Sequence, residues 1–316
     1  AMNTAHPLRL PARPAAAHKG TFGTVLVVGG SVAPRRMLGG PALSAAAAMR
    51  AGCGLCELAM PAPLLDAALT ILPTATGVPL AVGPRGEVDS QASAADLADA
   101  MGRATVVAIG PGLGAGPEVD GLVSTVVAQA RSMGRPTIVD ADALNSLSRH
   151  PPARPWSPPP PMIATPHPGE FRRLAAALGI DADPVLDGDR PAAARALAER
   201  LGAIVVLKGA GTIVCDGARL TRNPTGNAAL ATGGSGDILT GLIAGLAASW
   251  FASACDDPAE ASFDAAVAAV WCHGRAGELA ADRLAAGRPA GVLATDLLVE
   301  IPLALAEAAR MDRSSK

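Results

Sequence analysis

Five short apolar runs that stop at a glycine or a polar cluster constrain this chain more than any other feature. They are VLVVGG (25–30), VVAIG (106–110), TIVD (137–140), MIAT (162–165) and AIVVLKG (203–209). Each is too short for a helix, rich in β-branched residues and free of polar alternation, as expected of a strand covered on both faces. Between them lie Ala- and Leu-rich stretches of helical period, at 41–51, 117–133, 169–178 and 191–201. Strands alternating with helices predict an α/β fold around a mostly parallel sheet. Ligands of such sheets bind beyond the carboxyl ends of the strands, where these glycines stand. A length of 316 residues is ample for a core without staples. The low-complexity segment PPARPWSPPPP (151–161) reads as a surface loop rather than a linker, because the strand–helix rhythm resumes at once. The expected organisation is an irregular lead-in over 1–17 and a single domain over 18–316.

Composition excludes several functions. Lys and Arg number 26 against 28 Asp and Glu, a net charge of −2, so no basic excess exists for nucleic acid or an anionic membrane. Aromatics are 2% of residues and Tyr is absent, which leaves few platforms for stacked bases. The uncharged run 238–255 has 18 residues, at the lower edge for a membrane span. Its Thr240, Gly241, Gly245 and Ser249, with no positive flank, point to a buried helix instead. The first twenty residues carry His6, Arg9, Arg13, His18 and Lys19 around no apolar core, unlike a secretory signal. Cys53 and Cys56 form a C-x-x-C that would suit redox chemistry or half a zinc site. No second C-x-x-C exists and Cys56 opens the apolar CELAM, so two small core thiols are expected. These features predict a reduced, cytoplasmic enzyme.

The most informative segment is 223–248, NPTGNAALATGGSGDILTGLIAGLAA. Gly233, Gly234, Ser235 and Gly236 lead into Asp237 and a long apolar helix. Glycines let successive N–H groups converge, and the helix start adds its positive dipole end. The result is a site for phosphate oxygens or a developing anion. Asp237 repels phosphate there, so it needs another reason: N-capping, or action as a base on a hydroxyl in line with the phosphate. The glycine density favours the base. No G-x-x-x-x-G-K-[ST] occurs, so this is not a Walker loop. The GPGLGAG at 110–116 fits a dinucleotide fingerprint only loosely and reads as a tight turn that lets a ligand approach the backbone.

HKGTFGTVLVVGGS (18–31), GPGLG (110–114), VDADALN (139–145), TPHPGEF (165–171), VLKGAGTIV (206–214) and NPTGNAALATGGSGDILTGLIAG (223–245) follow one another along the chain. In content and order they resemble the ADP/ATP-dependent NAD(P)H-hydrate dehydratases of the ribokinase-like superfamily. The resemblance implies a three-layer α/β/α sandwich with a central, mostly parallel sheet. It implies repair of hydrated nicotinamide nucleotides, with ADP as phosphate donor in bacterial members, Mg²⁺ as cofactor, and AMP and phosphate as products. By position, it makes Asp237 the base at the substrate hydroxyl. Gly40, Gly112 and His167 become contacts of the hydrated nicotinamide nucleotide. Lys208, Gly209, Ala210, Gly211, Thr212 and Gly236 become nucleotide contacts. It also implies a homotetramer, and an epimerase acting as a separate protein, since this chain leaves no room for one.

Several of these residues carry a second reading. His167 stands between two prolines before a helix and could simply cap it. Glu170 suits the first turn of that helix as a dipole partner. Lys208 is either a nucleotide contact or a solvated loop lysine. Asp140 and Asp142 end a strand at the ligand edge, where they would position Mg²⁺ through water or cap the next helix. Asn223 and Asn227 read as turn formers. The rival functions are a vitamin-precursor kinase of the same superfamily, which TPHPGE speaks against, and a non-catalytic nucleotide-binding regulator.

Overall fold

The computed structural model describes residues 6–156, 161–253 and 255–314. Nine strands make one sheet: β1 (Thr24–Val28), β2 (Leu55–Pro61), β3 (Thr76–Leu80), β4 (Val106–Ile109), β5 (Thr137–Val139), β6 (Met162–Ala164), β7 (Ile204–Leu207), β8 (Ile213–Cys215) and β9 (Leu220–Arg222). Their order is β3-β2-β1-β4-β5-β6-β7-β8-β9. The first seven in this order run parallel, and β8 and β9 continue the sheet as antiparallel neighbours of β7. All five predicted runs are parallel strands of this sheet.

Helices cover both faces. Val25 and Val27 of β1 pack into one core, with α1 (Gly39–Ala51), α2 (Ala62–Ile71), α8 (Ser235–Ala252), α9 (Pro258–Ala285) and α10 (Ala294–Ser314). Leu26 and Val28 point the other way. They join α3 (Ala94–Arg103), α4 (Pro117–Ser132), α5 (Ala141–Arg149), α6 (Pro168–Leu178) and α7 (Arg190–Leu201). The side chains of Val25, Leu26, Val27 and Val28 are all fully buried, which explains why the run shows no polar alternation. The three-layer sandwich follows from this alternation of apolar faces.

Other elements escape simple pattern reading. β2 contains Glu57 within LCELAMP, yet it lies in the sheet interior between β1 and β3. Its carboxylate is gripped by Arg103, whose Nε and Nη2 donate at 2.8 Å to the two oxygens. β3 reads TGVPL, and its Pro79 is tolerated because β3 is an edge strand. Cys53 and Cys56 are buried, free thiols. Burial pushes the Cys53 thiol up to about 12 and Cys56 well above its usual value, so both act as small apolar side chains. The loop expected over 151–161 falls partly on 157–160, outside the described residues. On its near side Trp156 is buried, and its backbone N–H donates to the Leu201 carbonyl at 2.7 Å.

Helix α8 is long and apolar enough to cross a membrane, but it lies in the core against α1 and α9. The close approach to α1 requires glycine. A Cβ on Gly241 would stand 2.0 Å from the Ser44 carbonyl oxygen, and one on Gly245 2.4 Å from that of Ala48. Both obstacles are backbone, which cannot swing aside. Ser44 adds a hydrogen bond from Oγ to the Asp237 carbonyl at 2.8 Å. Together these contacts hold the start of α8 in place at the ligand edge. Gly241→Val is therefore expected to cost about 2–3 kcal/mol or more, as overpacking of a close interface does. Gly102→Ala in α3, where nothing lies within 4 Å of the new carbon, should be neutral or slightly stabilising. Urea titrations of the two variants check the contrast.

Candidate functional site

The carboxyl ends of β4, β5, β6 and β7 converge on the amino end of α8. Two tight turns permit this. Gly110 ends β4 at φ 131° with its α-carbon pressed on the Asp140 carbonyl, and a Cβ there would lie 1.8 Å from that oxygen. Gly234 is the N-cap of α8 in the left-handed region, at φ 91°. That conformation turns the chain so that the amides of Ser235, Gly236 and Asp237 open the helix without intrahelical partners. Asp237 is the third residue of the helix. It is not the cap, so of the two expected roles the capping one falls away.

Asp140 is the most enclosed charge at this edge, 1% exposed. It does not cap α5, since its side chain makes no capping hydrogen bond. Its Oδ1 accepts from Thr165 Oγ1 at 2.6 Å and from Lys208 Nζ at 2.8 Å, and its Oδ2 accepts from Thr240 Oγ1 at 2.7 Å. Burial opposes the charge, but Lys208 and these hydrogen bonds outweigh it and hold the carboxyl below its usual range. Lys208 answers in kind: burial is overcome by Asp140 and Glu170, and its ammonium is held above its usual value. Lys208 is thus no solvated loop residue. Its Nζ lies 3.8 Å from Glu170 Oε2 and 3.4 Å from the point where a Gly236 Cβ would stand. The ammonium therefore sits beneath the glycine turn. Asp142 turns elsewhere, its Oδ2 accepting from the Gly114 N–H at 2.8 Å and tying down the GPGLG turn.

His167 caps α6, as one of its two readings holds. Its Nδ1 accepts from the Gly169 N–H at 3.0 Å, and Glu170 Oε2 accepts from the His167 N–H at 2.8 Å. The cap fixes the ring. Burial, then the nearby Lys208 and Arg173 charges, keep its pKa below the usual value, so at pH 7 it is neutral with its proton on Nε2. That N–H lies 3.3 Å from Glu170 Oε1 on a side chain half exposed to the cleft. His167 therefore offers a ligand a donor, not a base. Glu170 is buried, and burial lifts its carboxyl to about 7 against the pull of Lys208.

Asp237 differs from every carboxylate around it. Among the described residues no group donates a hydrogen bond to its carboxylate oxygens. Burial, reinforced by Asp140 and Asp142 and resisted by Lys208, raises its carboxyl to about 7. Gly40, near the start of α1, faces it directly: a Cβ there would lie 3.1 Å from Asp237 Oδ1. Glycine at 40 thus leaves space beside the carboxylate. Gly112 stands at φ 65° with its α-carbon against Met37, on the same side as α1.

Lys208, Gly209, Ala210, Gly211, Thr212 and Gly236 all line one cavity of about 810 Å³, which also reaches His167. The expected nucleotide contacts are therefore brought together. Gly40, Gly112 and Asp237 are not among the residues that line this cavity; Gly40 faces the Asp237 carboxylate, and Gly112 stands against Met37 and Pro41. The far wall includes Asn223 and Asn227, both shaping turns: Asn223 Nδ2 donates to the Thr225 carbonyl at 2.9 Å, and Asn227 Oδ1 accepts from the Ala229 N–H at 2.9 Å. His273 of α9 was not expected. It is buried under the glycine turn, with Nε2 2.9 Å from the Ser235 carbonyl and 3.0 Å from Ser235 Oγ. Burial pushes it down to about 4 despite the bond to Ser235, so it is a neutral strut. A lone polar residue in the apolar AAVWCHG was its sequence signal. Among the described residues no three His, Cys, Asp or Glu side chains converge as a metal cage.

The chain is similar to known proteins. A family model described as NAD(P)H-hydrate dehydratase matches residues 25–303. The bifunctional NAD(P)H-hydrate repair enzyme Nnr of Coxiella burnetii is 38% identical over 292 residues, covering 91% of this chain and 51% of that protein. The chain thus spans about half the length of the curated relatives it matches. A crystal structure of ADP/ATP-dependent NAD(P)H-hydrate dehydratase from Bacillus subtilis, co-crystallised with ATP and Mg²⁺, superposes with a TM-score of 0.71 at 30% identity, covering 95% of this chain and 94% of that one. A ribokinase-like superfamily protein from Enterococcus faecalis superposes at 0.74 with 25% identity, covering 95% and 92%. The fold is ribokinase-like, and the chain belongs to the NAD(P)H-hydrate dehydratase family.

Proposed function

We propose that the chain catalyses the ADP-dependent dehydration of (6S)-NAD(P)H-hydrate to NAD(P)H, releasing AMP and phosphate. The observation that carries this is Asp237: a carboxylate with no hydrogen-bond donor, beside an open glycine turn and an ammonium, in a chain of this family. The hydroxyl oxygen of the hydrated ring attacks the terminal phosphorus of ADP as Asp237 takes its proton. The bond to the bridging oxygen breaks and AMP leaves. The ring nitrogen then pushes its lone pair as the C–O bond to phosphate breaks, and loss of a proton from the neighbouring ring carbon restores the double bond. Hydroxide would be a poor leaving group, and phosphate is a good one.

The amides at the start of α8 and the Lys208 ammonium stabilise charge on the transferring group. The segment Lys208 to Thr212 holds the nucleotide, and Gly40, Gly112 and His167 hold the hydrate. Mg²⁺, when bound, neutralises phosphate charge. The ion would be carried in with the nucleotide, and Asp140, Lys208 and the α8 amides keep the roles given above. The choice of ADP over ATP rests on the resemblance to bacterial members. The same reading includes a cytoplasmic location and a homotetramer, for which exposed Val299, Leu303 and Met311 on α10 offer apolar surface.

The Asp237 variant tests the reaction. Asn has nearly the same shape, so Asp237→Asn is expected to fold, bind ADP and lose at least about a hundredfold in turnover. Turnover within a few-fold of wild type would sink the assignment. Because the carboxyl is raised to about 7, the wild-type rate should fall as pH drops through that region. The sign for stability is the reverse. A raised carboxyl favours the fold most at low pH and loses that contribution as pH rises through about 7. The melting advantage of Asp237→Asn should therefore grow from pH 4 to pH 7 and then level off.

The donor is tested by turnover of the hydrate with ADP and with ATP at matched Mg²⁺. ADP is expected to be the better substrate, and equal or better turnover with ATP would overturn that choice. For His167, Asn is the diagnostic replacement because it remains a good cap. His167→Asn should melt near wild type, bind ADP normally and lose about tenfold in hydrate affinity, the value of one hydrogen bond to a polar ligand. Unchanged hydrate binding would leave His167 with its capping role alone.

A further inference from the structure

We propose that Asp140 is a positioning residue for phosphoryl transfer, its buried carboxylate holding the Lys208 ammonium beneath the Gly236 turn so that the cation meets the transferred phosphate. This rests on the reading of the site as a phosphoryl-transfer centre. Three observations carry it. The carboxylate is 1% exposed and serves no helix cap, so local structure does not account for it. Both of its oxygens are anchored by hydroxyls from different elements, Thr165 after β6 and Thr240 in α8. Its remaining partner is Lys208 after β7, at 2.8 Å.

The geometry has a direction. Thr240 lies one turn beyond Asp237, so the carboxylate grips the helix just below its catalytic start. Lys208 Nζ lies within 3.4 Å of the space over the Gly236 α-carbon. An anion seated on the turn amides would therefore touch the ammonium. A lysine on its flexible stem is otherwise free to follow Glu170, 3.8 Å away. Asp140 removes that freedom at a place where water cannot screen the pair. Its charge also acts on Asp237 together with Asp142, while Lys208 acts against them; these are the charged groups facing Asp237. Neutralising Asp140 should thus move the acid limb of the rate profile to lower pH, an effect that a purely structural residue would not have.

The test is a double-mutant cycle on the full chain, with Asp140→Asn, Lys208→Met and both together. ADP affinity is measured by calorimetry, and turnover of the hydrate against pH, with melting curves alongside. Asp140→Asn is expected to weaken ADP about tenfold or more, as loss of a charge-assisted contact does. In the Lys208→Met background the same change should cost less than about threefold, because the two act as a unit. The acid limb should move down in Asp140→Asn. Independent, multiplying losses would overturn the proposal, as would ADP affinity and a pH profile unchanged in a folded Asp140→Asn. Should that variant fail to fold, Thr240→Val and Thr165→Val carry the test, since they free the carboxylate and leave both charges. Together they are expected to weaken ADP, and unchanged affinity would overturn the proposal. A wild-type chain that binds ADP yet turns over no hydrate would sink the assigned reaction, while the binding cycle would still decide the role of Asp140.

Discussion

The site depends on charge being held where water cannot reach it. Asp140 and Lys208 form an ion pair at the carboxyl edge of the sheet, each compensating the other's loss of solvent. Neither would persist alone. An unpaired buried carboxylate takes up a proton instead, and an unpaired buried ammonium loses one. Because both carboxylate oxygens are also tied to threonine hydroxyls, the pair joins β5, β6, β7 and α8 through one group. The same low-dielectric setting that strengthens this pair raises Asp237 and Glu170 to about 7. One environment thus yields a fixed cation and a carboxylate poised to exchange a proton near neutrality.

The second requirement is steric. The glycine turn is useful only if the helix behind it stands close to the strand ends. Gly241 and Gly245 let α8 lie against the backbone of α1, and Ser44 bonds the carbonyl of Asp237 itself. His273 supports the turn from below through Ser235. The apolar length of α8, sufficient to cross a membrane, is explained by burial against α1, α9 and the sheet.

Much of this was legible in the chain. Parallel strands announce themselves as unbroken β-branched runs because both faces are covered, and all five such runs were strands. The Gly-rich start of α8 was visible because only glycine permits those turns. Elements whose polar or breaking residues are compensated by distant partners were not legible. β2 hides behind Glu57, whose partner Arg103 lies 46 residues further on. β3 contains Pro79, acceptable only because the strand ends up at an edge. The hairpin of β8 and β9 is made of three-residue strands, too short to show a period.

The sequence by itself determined the fold class, the ligand edge and the residue types at the anion site, since each follows from local rules: burial on two faces, the freedom of glycine, the start of a helix. Tertiary structure alone decided which role each charged residue takes. Asp140 and Asp142 look equivalent in VDADALN, yet one grips Lys208 and the other a backbone amide of the GPGLG turn. The glycines before Asp237 favoured a base over a cap, but only the fold shows that Gly234 occupies the cap position. Such choices depend on partners tens to a hundred residues away and on how completely water is excluded. Neither quantity is written in the local pattern of a chain.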